Sequence, residues 1–309
     1  MKKVLVTGAA GSIGINVLKY LVQREYDVTA FDIKNYKNSH KLAPYKKQVK
    51  IVYGDVNDCL LLEALIRDTD VVIHLAGIIA PFANLKGDLC RIVDFEGTCN
   101  VVNAINSFNP KCYLVYSSST SLYEDKKLVS ASSPIDFPSE DFYSKYKYES
   151  EKTIQKALKN YTIFRLPIVM CNPSDDKPIY NVAINSKVEL VSNIDVGYAL
   201  AETISHQTSL NKKIYNLTGG KENYTIFKDY VLKILEIYGI TWQYLLTLLL
   251  MEKNYRCHKY SDGDKLDEIL KFRSESLEEY YVRLAEYGHK RIISKILAKP
   301  FIYLLKNKK

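Results

Sequence analysis

Short apolar runs alternate along the chain with stretches whose apolar residues return every three or four positions. Residues 4–6 form the first run; Thr7, Gly8, Gly11 and Gly14 interrupt it, and Val17, Leu18 and Leu21 then take up helical spacing. That order predicts a strand, a tight turn and a helix. The same reading predicts strands over 27–32, 49–53, 71–75, 112–116 and 161–166, and helices over 59–67, 92–108 and from near Glu140 toward Leu158. The lysine-rich stretch after Asp32 reads as a polar connection, and 124–138, with two prolines, as a surface loop. Strands and helices in strict alternation predict an α/β fold, a doubly wound parallel sheet with helices on both faces.

Beyond 167 the regularity weakens. Residues 171–194 read as irregular, 195–205 and 225–238 as helices, and 213–217 as a strand. The expected organisation is a nucleotide-binding domain over 1–167, a small C-terminal α/β lobe over 168–288 interleaved with it, and a tail over 289–309. Residues 240–251 are apolar on nearly every side, yet twelve residues cannot cross a bilayer. They predict either a buried helix of the lobe or the lining of a channel for an apolar substrate.

The first turn carries candidate chemistry. Backbone N–H groups at the positive end of a helix bind a diphosphate, so the turn with Gly8, Gly11, Ser12, Ile13 and Gly14 is expected to cradle one, although glycines so spaced also simply end strands. Asp32 closes the second strand eighteen residues after Gly14, about where a carboxylate would accept hydrogen bonds from a ribose. Its charge would repel an adenosine 2′-phosphate and favours NAD, while Lys34 leaves NADP open.

The strand predicted over 112–116 runs into Ser117, Ser118, Ser119, Thr120 and Ser121. Open parallel sheets hold their active sites just beyond the carboxyl ends of strands, so the serines stand in the right place. Five tyrosines, Tyr123, Tyr143, Tyr148, Tyr224 and Tyr255, have a lysine four residues later. Tyr143 and Lys147 would lie one turn apart on the helix that follows the serines, with Tyr148 and Lys152 as the competing pair. A neighbouring ammonium and a positive nicotinamide ring favour the phenolate, which makes the tyrosine a usable base, and a serine hydroxyl can hold the oxygen that passes between alcohol and ketone.

An apolar content of 47% with 25% charged residues excludes a disordered chain and leaves function to the sites. Six cysteines form no CxxC pair and read as reduced core residues; with no secretory leader in the opening stretch, a cytoplasmic location is expected. Residues 290–309 carry seven basic side chains and no acid, nearly all of the net charge of +8. This concentration argues against a nucleic-acid-binding face. Ile292, Ile293, Ile296 and Leu297 recur at helical spacing there, and an apolar run resumes after Pro300. The tail would be a solvated end, a packing surface for a homodimer or a peripheral contact with an anionic membrane. His74 is expected to pack at a strand end, and no metal site is expected.

In order along the chain, TGAAGSIG at 7–14, GDV at 54–56, HLAG at 74–77, YSSS at 116–119, YSKYK at 143–147 and FRLP at 164–167 resemble the extended short-chain dehydrogenase/reductases. That Rossmann-fold group includes nucleotide-sugar epimerases and dehydratases. The resemblance covers residues 1 to about 238, with a weaker echo over 262–281. It implies that Gly8, Gly11 and Gly14 contact the diphosphate of NAD, Asp32 the adenosine ribose, Asp55 and Val56 the adenine, and Ala76 and Gly77 the nicotinamide side. Pro167 would join the cofactor site, and Ser119, Tyr143 and Lys147 would be catalytic, the last two also touching the cofactor.

Departures from the group narrow the expectation. Thr120 and Ser121 stand where dehydratases carry an acidic pair, so dehydration is not expected. Ile168 and Val188 stand where nucleotide-sugar enzymes often place the asparagine and arginine that hold the nucleotide diphosphate. The expected activity is that of an NAD-dependent epimerase or oxidoreductase acting on a secondary alcohol or ketone, with a nucleotide sugar as the implied substrate. A ketone reductase for a non-sugar substrate and a non-catalytic dinucleotide sensor are the alternatives.

Overall fold

The computed structural model describes residues 1–80, 82–123, 128–172, 182–238 and 258–290. The apolar segment 240–251 and nearly all of the basic tail lie outside the described residues. Seven parallel strands form the main sheet: β1 (Lys3–Thr7), β2 (Asp27–Asp32), β3 (Lys50–Tyr53), β4 (Val71–His74), β5 (Tyr113–Ser119), β6 (Tyr161–Leu166) and β7 (Lys213–Asn216). Their order across the sheet is β7-β6-β5-β4-β1-β2-β3. The order reverses between β1 and β4, which opens a crevice at the carboxyl ends of the central strands.

Alternation along the strands explains the two layers. Val4 and Val6 of β1 join an apolar cluster on one face, with Val17, Leu18 and Leu21 of α1 (Ser12–Gln23) and Val196, Ala199 and Leu200 of α6 (Asn193–Glu202). Leu5 points to the other face, where α3 (Cys59–Ile66), α4 (Gly97–Phe108) and α5 (Phe142–Ala157) supply Leu62, Val101, Ile105 and Ile154. A side-chain period of two thus feeds both cores from single strands. A third cluster contains Ile168, Met170, Val188 and Leu190, closed by Phe227 and Tyr230 of α7 (Phe227–Ile237) with Tyr280 and Leu284. The chain beyond 167 contributes to both the main sheet and the lobe, because β7 extends the sheet and Leu266, Leu270 and Phe272 pack in its cluster, while residues of 182–190, 227–238 and 277–284 build the third one.

Three of the changes from the local readings bear on the site. The polar connection after Asp32 contains a helix, α2 (Tyr36–Leu42), whose Asn35 cap accepts from Asn38 N at 2.9 Å. The helix expected over 92–108 begins with a π-helical turn, Arg91–Glu96, before α4 proper. Most important, β5 does not stop at Tyr116 but continues through Ser119, its last three residues pairing with Phe164, Arg165 and Leu166 of β6. Small hydroxyl side chains fit there because they are satisfied locally: Ser117 Oγ donates to His74 O at 3.3 Å, and Ser118 Oγ donates to Glu151. Two further helices, α8 (Gly263–Leu270) and α9 (Leu277–Lys290), follow in the closing segment.

Candidate active site

The glycine turn joins β1 to α1 at the crevice. Gly8 has φ +68°, and a Cβ on it would lie 2.7 Å from Ala76 N; a Cβ on Gly14 would lie 2.4 Å from Gly8 O. No side chain caps α1, and its first turn holds no acid. A helix start left open in this way, with backbone packed too closely for any side chain, fits a bound anion. Ser12, Ile13 and Gly14 form the first turn, and Ser12 Oγ is 3.2 Å from Cys171 Sγ.

Asp32 ends β2 beside this turn. Its Oδ2 accepts from Ala10 N at 2.8 Å, and its Oδ1 accepts from Ile33 N at 2.8 Å and Asn38 Nδ2 at 3.0 Å. Burial raises the carboxyl above its ordinary value, against the pull of those two backbone donors. Asp55 and Val56 follow β3, the first exposed and held by Asn57, the second buried. Ala76 and Gly77 follow β4, and Pro167 lies buried after β6.

The serine-ended strand and α5 bring the remaining three together. Asp141 caps α5 by accepting from Ser144 N at 3.1 Å, and Asn84 Oδ1 accepts from Tyr143 N at 2.9 Å, so the start of the helix is held on two sides. Tyr143 hydrogen-bonds Ser119, and Lys147 Nζ lies 5.8 Å from the Tyr143 ring centre and 5.2 Å from that of Tyr116. Lys147 also donates to Ser117 O at 3.1 Å. Burial pushes the Tyr143 phenol up to about 12, opposed by the Lys147 ammonium and the Ser119 hydrogen bond. Burial pulls Lys147 down, but Tyr116, Asp94 and Tyr143 together hold it above its ordinary value. Tyr148 turns elsewhere, against Phe137, with Lys152 over its ring at 4.6 Å.

His74 is a connector. Thr98 Oγ1 donates to Asp94 O, so it accepts from His74 Nε2 at 3.1 Å; His74 Nδ1 then accepts from Thr7 Oγ1 at 2.6 Å. Thr7 Oγ1 in turn accepts from Leu75 N and Ala76 N. Burial lowers the imidazole to about 3, with the Lys147 charge adding to the effect. Among the described residues no group of three or more His, Cys, Asp or Glu is placed to hold a metal.

Asp94, Asn38 and the Glu151–Arg165 pair escaped the reading of the sequence. Asp94 left a trace there as a charge inside an otherwise amphipathic helical stretch, and Arg165 only as a letter of the FRLP motif.

A switch point at the glycine turn and a tyrosine–lysine helix beside a buried serine define a dinucleotide-type doubly wound protein. The chain belongs to the NAD dependent epimerase/dehydratase family, whose profile matches residues 4–174. It is similar to 3 beta-hydroxysteroid dehydrogenase type 7 of Mus musculus, 31% identical over 118 residues, which cover 37% of this chain and 32% of that protein. It is also similar to CDP-paratose 2-epimerase of Salmonella typhi, 29% identical over 133 residues, 40% of this chain and 38% of that protein. The match spans about a third of the length of each of these two relatives. Its fold is that of UDP-glucuronic acid 4-epimerase from Bacillus cereus, solved in complex with NAD: TM-score 0.72, 18% identity, 93% of this chain and 99% of that one. No described helix is long and apolar enough to cross a membrane.

Proposed function

We propose that this chain transfers hydride reversibly between NAD and a secondary alcohol or ketone, most simply as an epimerase of a nucleotide sugar. The observation that carries this reading is the convergence of Ser119, Tyr143 and Lys147 at the carboxyl edge of β5, beside the open start of α1. Ser119 Oγ holds the substrate oxygen. Tyr143 Oη takes the hydroxyl proton as the carbon gives up hydride, and returns it on reduction. Lys147 keeps its charge and stabilises the phenolate. Oxidised NAD, when bound, supplies the hydride acceptor and a positive ring that favours the phenolate further. Asp32 receives the adenosine ribose and selects against a 2′-phosphate.

A second reading, a dehydrogenase or reductase for an apolar alcohol, has its own support. Ile168 and Val188 are 5% and 1% exposed within the apolar cluster of the lobe, in the places where an asparagine and an arginine would hold a nucleotide diphosphate. A steroid dehydrogenase is among the relatives.

Incubating the full chain with NAD and UDP-glucose or UDP-glucuronic acid separates the two. Epimerised sugar without net NADH, reduced at least ~100-fold by Tyr143→Phe, supports the first reading. Stoichiometric NADH with a 3β-hydroxysterol and inert sugars would replace it with the second, and failure to bind NAD(H) would sink both.

A further inference from the structure

The Arg91–Glu96 turn places a carboxylate under the candidate site. Asp94 is 1% exposed. Its Oδ2 accepts from Ile78 N at 2.9 Å and from Cys90 Sγ at 3.7 Å, and its Oδ1 faces Lys147 Nζ across 3.4 Å. A Cβ on Gly77 would come within 2.7 Å of Asp94 Oδ1 and 3.4 Å of Lys147 Nζ, so the loop after β4 closes directly over the ion pair. The backbone of the same residue is also engaged, since Asp94 O accepts from Ser150 Oγ at 3.1 Å and from Thr98. Through Thr98, His74 and Thr7 it is tied to the end of β1. One residue therefore touches the loop after β4, the helix carrying Tyr143 and Lys147, and the path to the glycine turn.

We propose that Asp94 is a positioning residue of this site: its buried carboxylate fixes the Lys147 ammonium against the Gly77–Ile78 backbone and limits how much of the ammonium's field reaches Tyr143. This rests on Ser119, Tyr143 and Lys147 being the reacting group. A buried carboxylate without its counter-ion is costly, so Asp94 and Lys147 hold one another in place. The charge is not idle with respect to Tyr143, because a negative group nearby disfavours the phenolate while Lys147 favours it. Tyr116, whose ring lies 5.2 Å from Lys147 Nζ, and the Cys90 thiol, pushed up to about 12 by burial and then by Asp94, also face this cluster; Glu151 acts on Tyr116 and Asp141 on Cys90 from farther out, and His74 is neutral. Burial raises the Asp94 carboxyl, while the Lys147 ammonium and Ile78 N pull it back toward the carboxylate; with the thiol and the imidazole uncharged, Asp94 is the acid that faces Lys147.

Asp94→Asn keeps an acceptor for Ile78 N and removes the charge. The readout is tyrosinate absorbance at 295 nm of the full chain minus that of its Tyr143→Phe counterpart, from pH 7 to the highest pH at which far-UV circular dichroism is unchanged. Tyr143 ionisation at pH 10 should be at least about threefold greater in Asp94→Asn than in the parent, a shift of about half a pH unit. NADH fluorescence titration should show weaker binding, because Lys147 loses the carboxylate that fixes its ammonium beside the Gly77 loop. If Asp94→Asn does not fold, Asp94→Ser, which leaves room for a water, gives the same measurement. An unmoved tyrosinate signal in a folded variant, even with a lowered Tm, would mean that Asp94 is structural only and would overturn the proposal. Because no substrate is used, failure of the hydride-transfer reading shows separately, as turnover that survives Tyr143→Phe.

Discussion

Tyr143 and Tyr148 lie five positions apart on one helix, and each has a lysine four residues on, yet their surroundings differ. Tyr143 meets Ser119, whereas Tyr148 packs on Phe137. Tyr148→Phe should therefore leave turnover within about twofold of the parent in the assay that Tyr143→Phe abolishes, since it removes no proton-transfer group. Asp32 has two duties, ribose recognition and support of the glycine turn through Ala10 N. In Asp32→Ala, the preference for NADH over NADPH, read by fluorescence titration of both, should narrow, and unchanged selectivity would remove Asp32 from the ribose site. Gly8→Ala combines a left-handed backbone with overlap on Leu75 and Ala76. It should cost about 3 kcal/mol in urea unfolding and weaken NADH binding.

Among the elements, α5 decides the site, because it carries Tyr143 and Lys147 and must hold its height and rotation against β5 and β6. A buried ion pair supplies much of that constraint: Arg165 of β6 donates from Nε to Glu151 Oε1 at 2.9 Å and from a terminal nitrogen to Oε2 at 2.7 Å, with Ser118 of β5 donating to the same carboxylate. Arg165 also reaches Ala131 O at 3.1 Å and lies over the Tyr123 ring. Removing one partner leaves the other charge buried and unpaired, so Glu151→Ala should cost about 3–5 kcal/mol by urea denaturation. Replacing both, as Glu151→Leu with Arg165→Met, should cost less than either single change. If the double variant is the least stable, the constraint resides in packing and not in the unpaired charge.

Across the whole molecule, the main sheet and the closing segment meet at Asp195, the buried acid at the start of α6. It accepts from Ser274 N at 3.1 Å, Ser274 Oγ at 2.6 Å and Glu275 N at 3.3 Å. Burial outweighs these donors and pushes its carboxyl up to about 6. The folded chain thus keeps this proton to higher pH than the unfolded chain, whose carboxyl titrates near 3.8. Between those values the folded state binds more protons, and the stability contributed by Asp195 falls as pH rises through the window. Relative to Asp195→Asn, the parent should lose about 2 kcal/mol of unfolding free energy between pH 4 and pH 6.5. Parallel stability curves for the two would show that the donors offset burial in full, and a parent that gains stability with rising pH that they outweigh it.

Local pattern determined the alternation of strands and helices, the glycine turn and the strand ending at Asp32, because each rests on spacing within a few residues of chain, whereas five tyrosines share the spacing of Tyr143 to its lysine and only their surroundings differ. It misplaced the end of β5, since serines extend a strand only when a neighbour such as β6 pairs their backbone and their hydroxyls find partners across the sheet. It passed over α2, a short polar helix held by the Asn35 cap. Asp94 lies 53 positions from Lys147, and Glu151 14 from Arg165 across a helix-to-strand turn. No periodicity records such pairs. Burial decides which charges become partners and which merely face water, and burial is set by how the sheet and its helices close upon one another. Only the tertiary structure could therefore turn an aspartate in an amphipathic stretch into the counter-ion of Lys147.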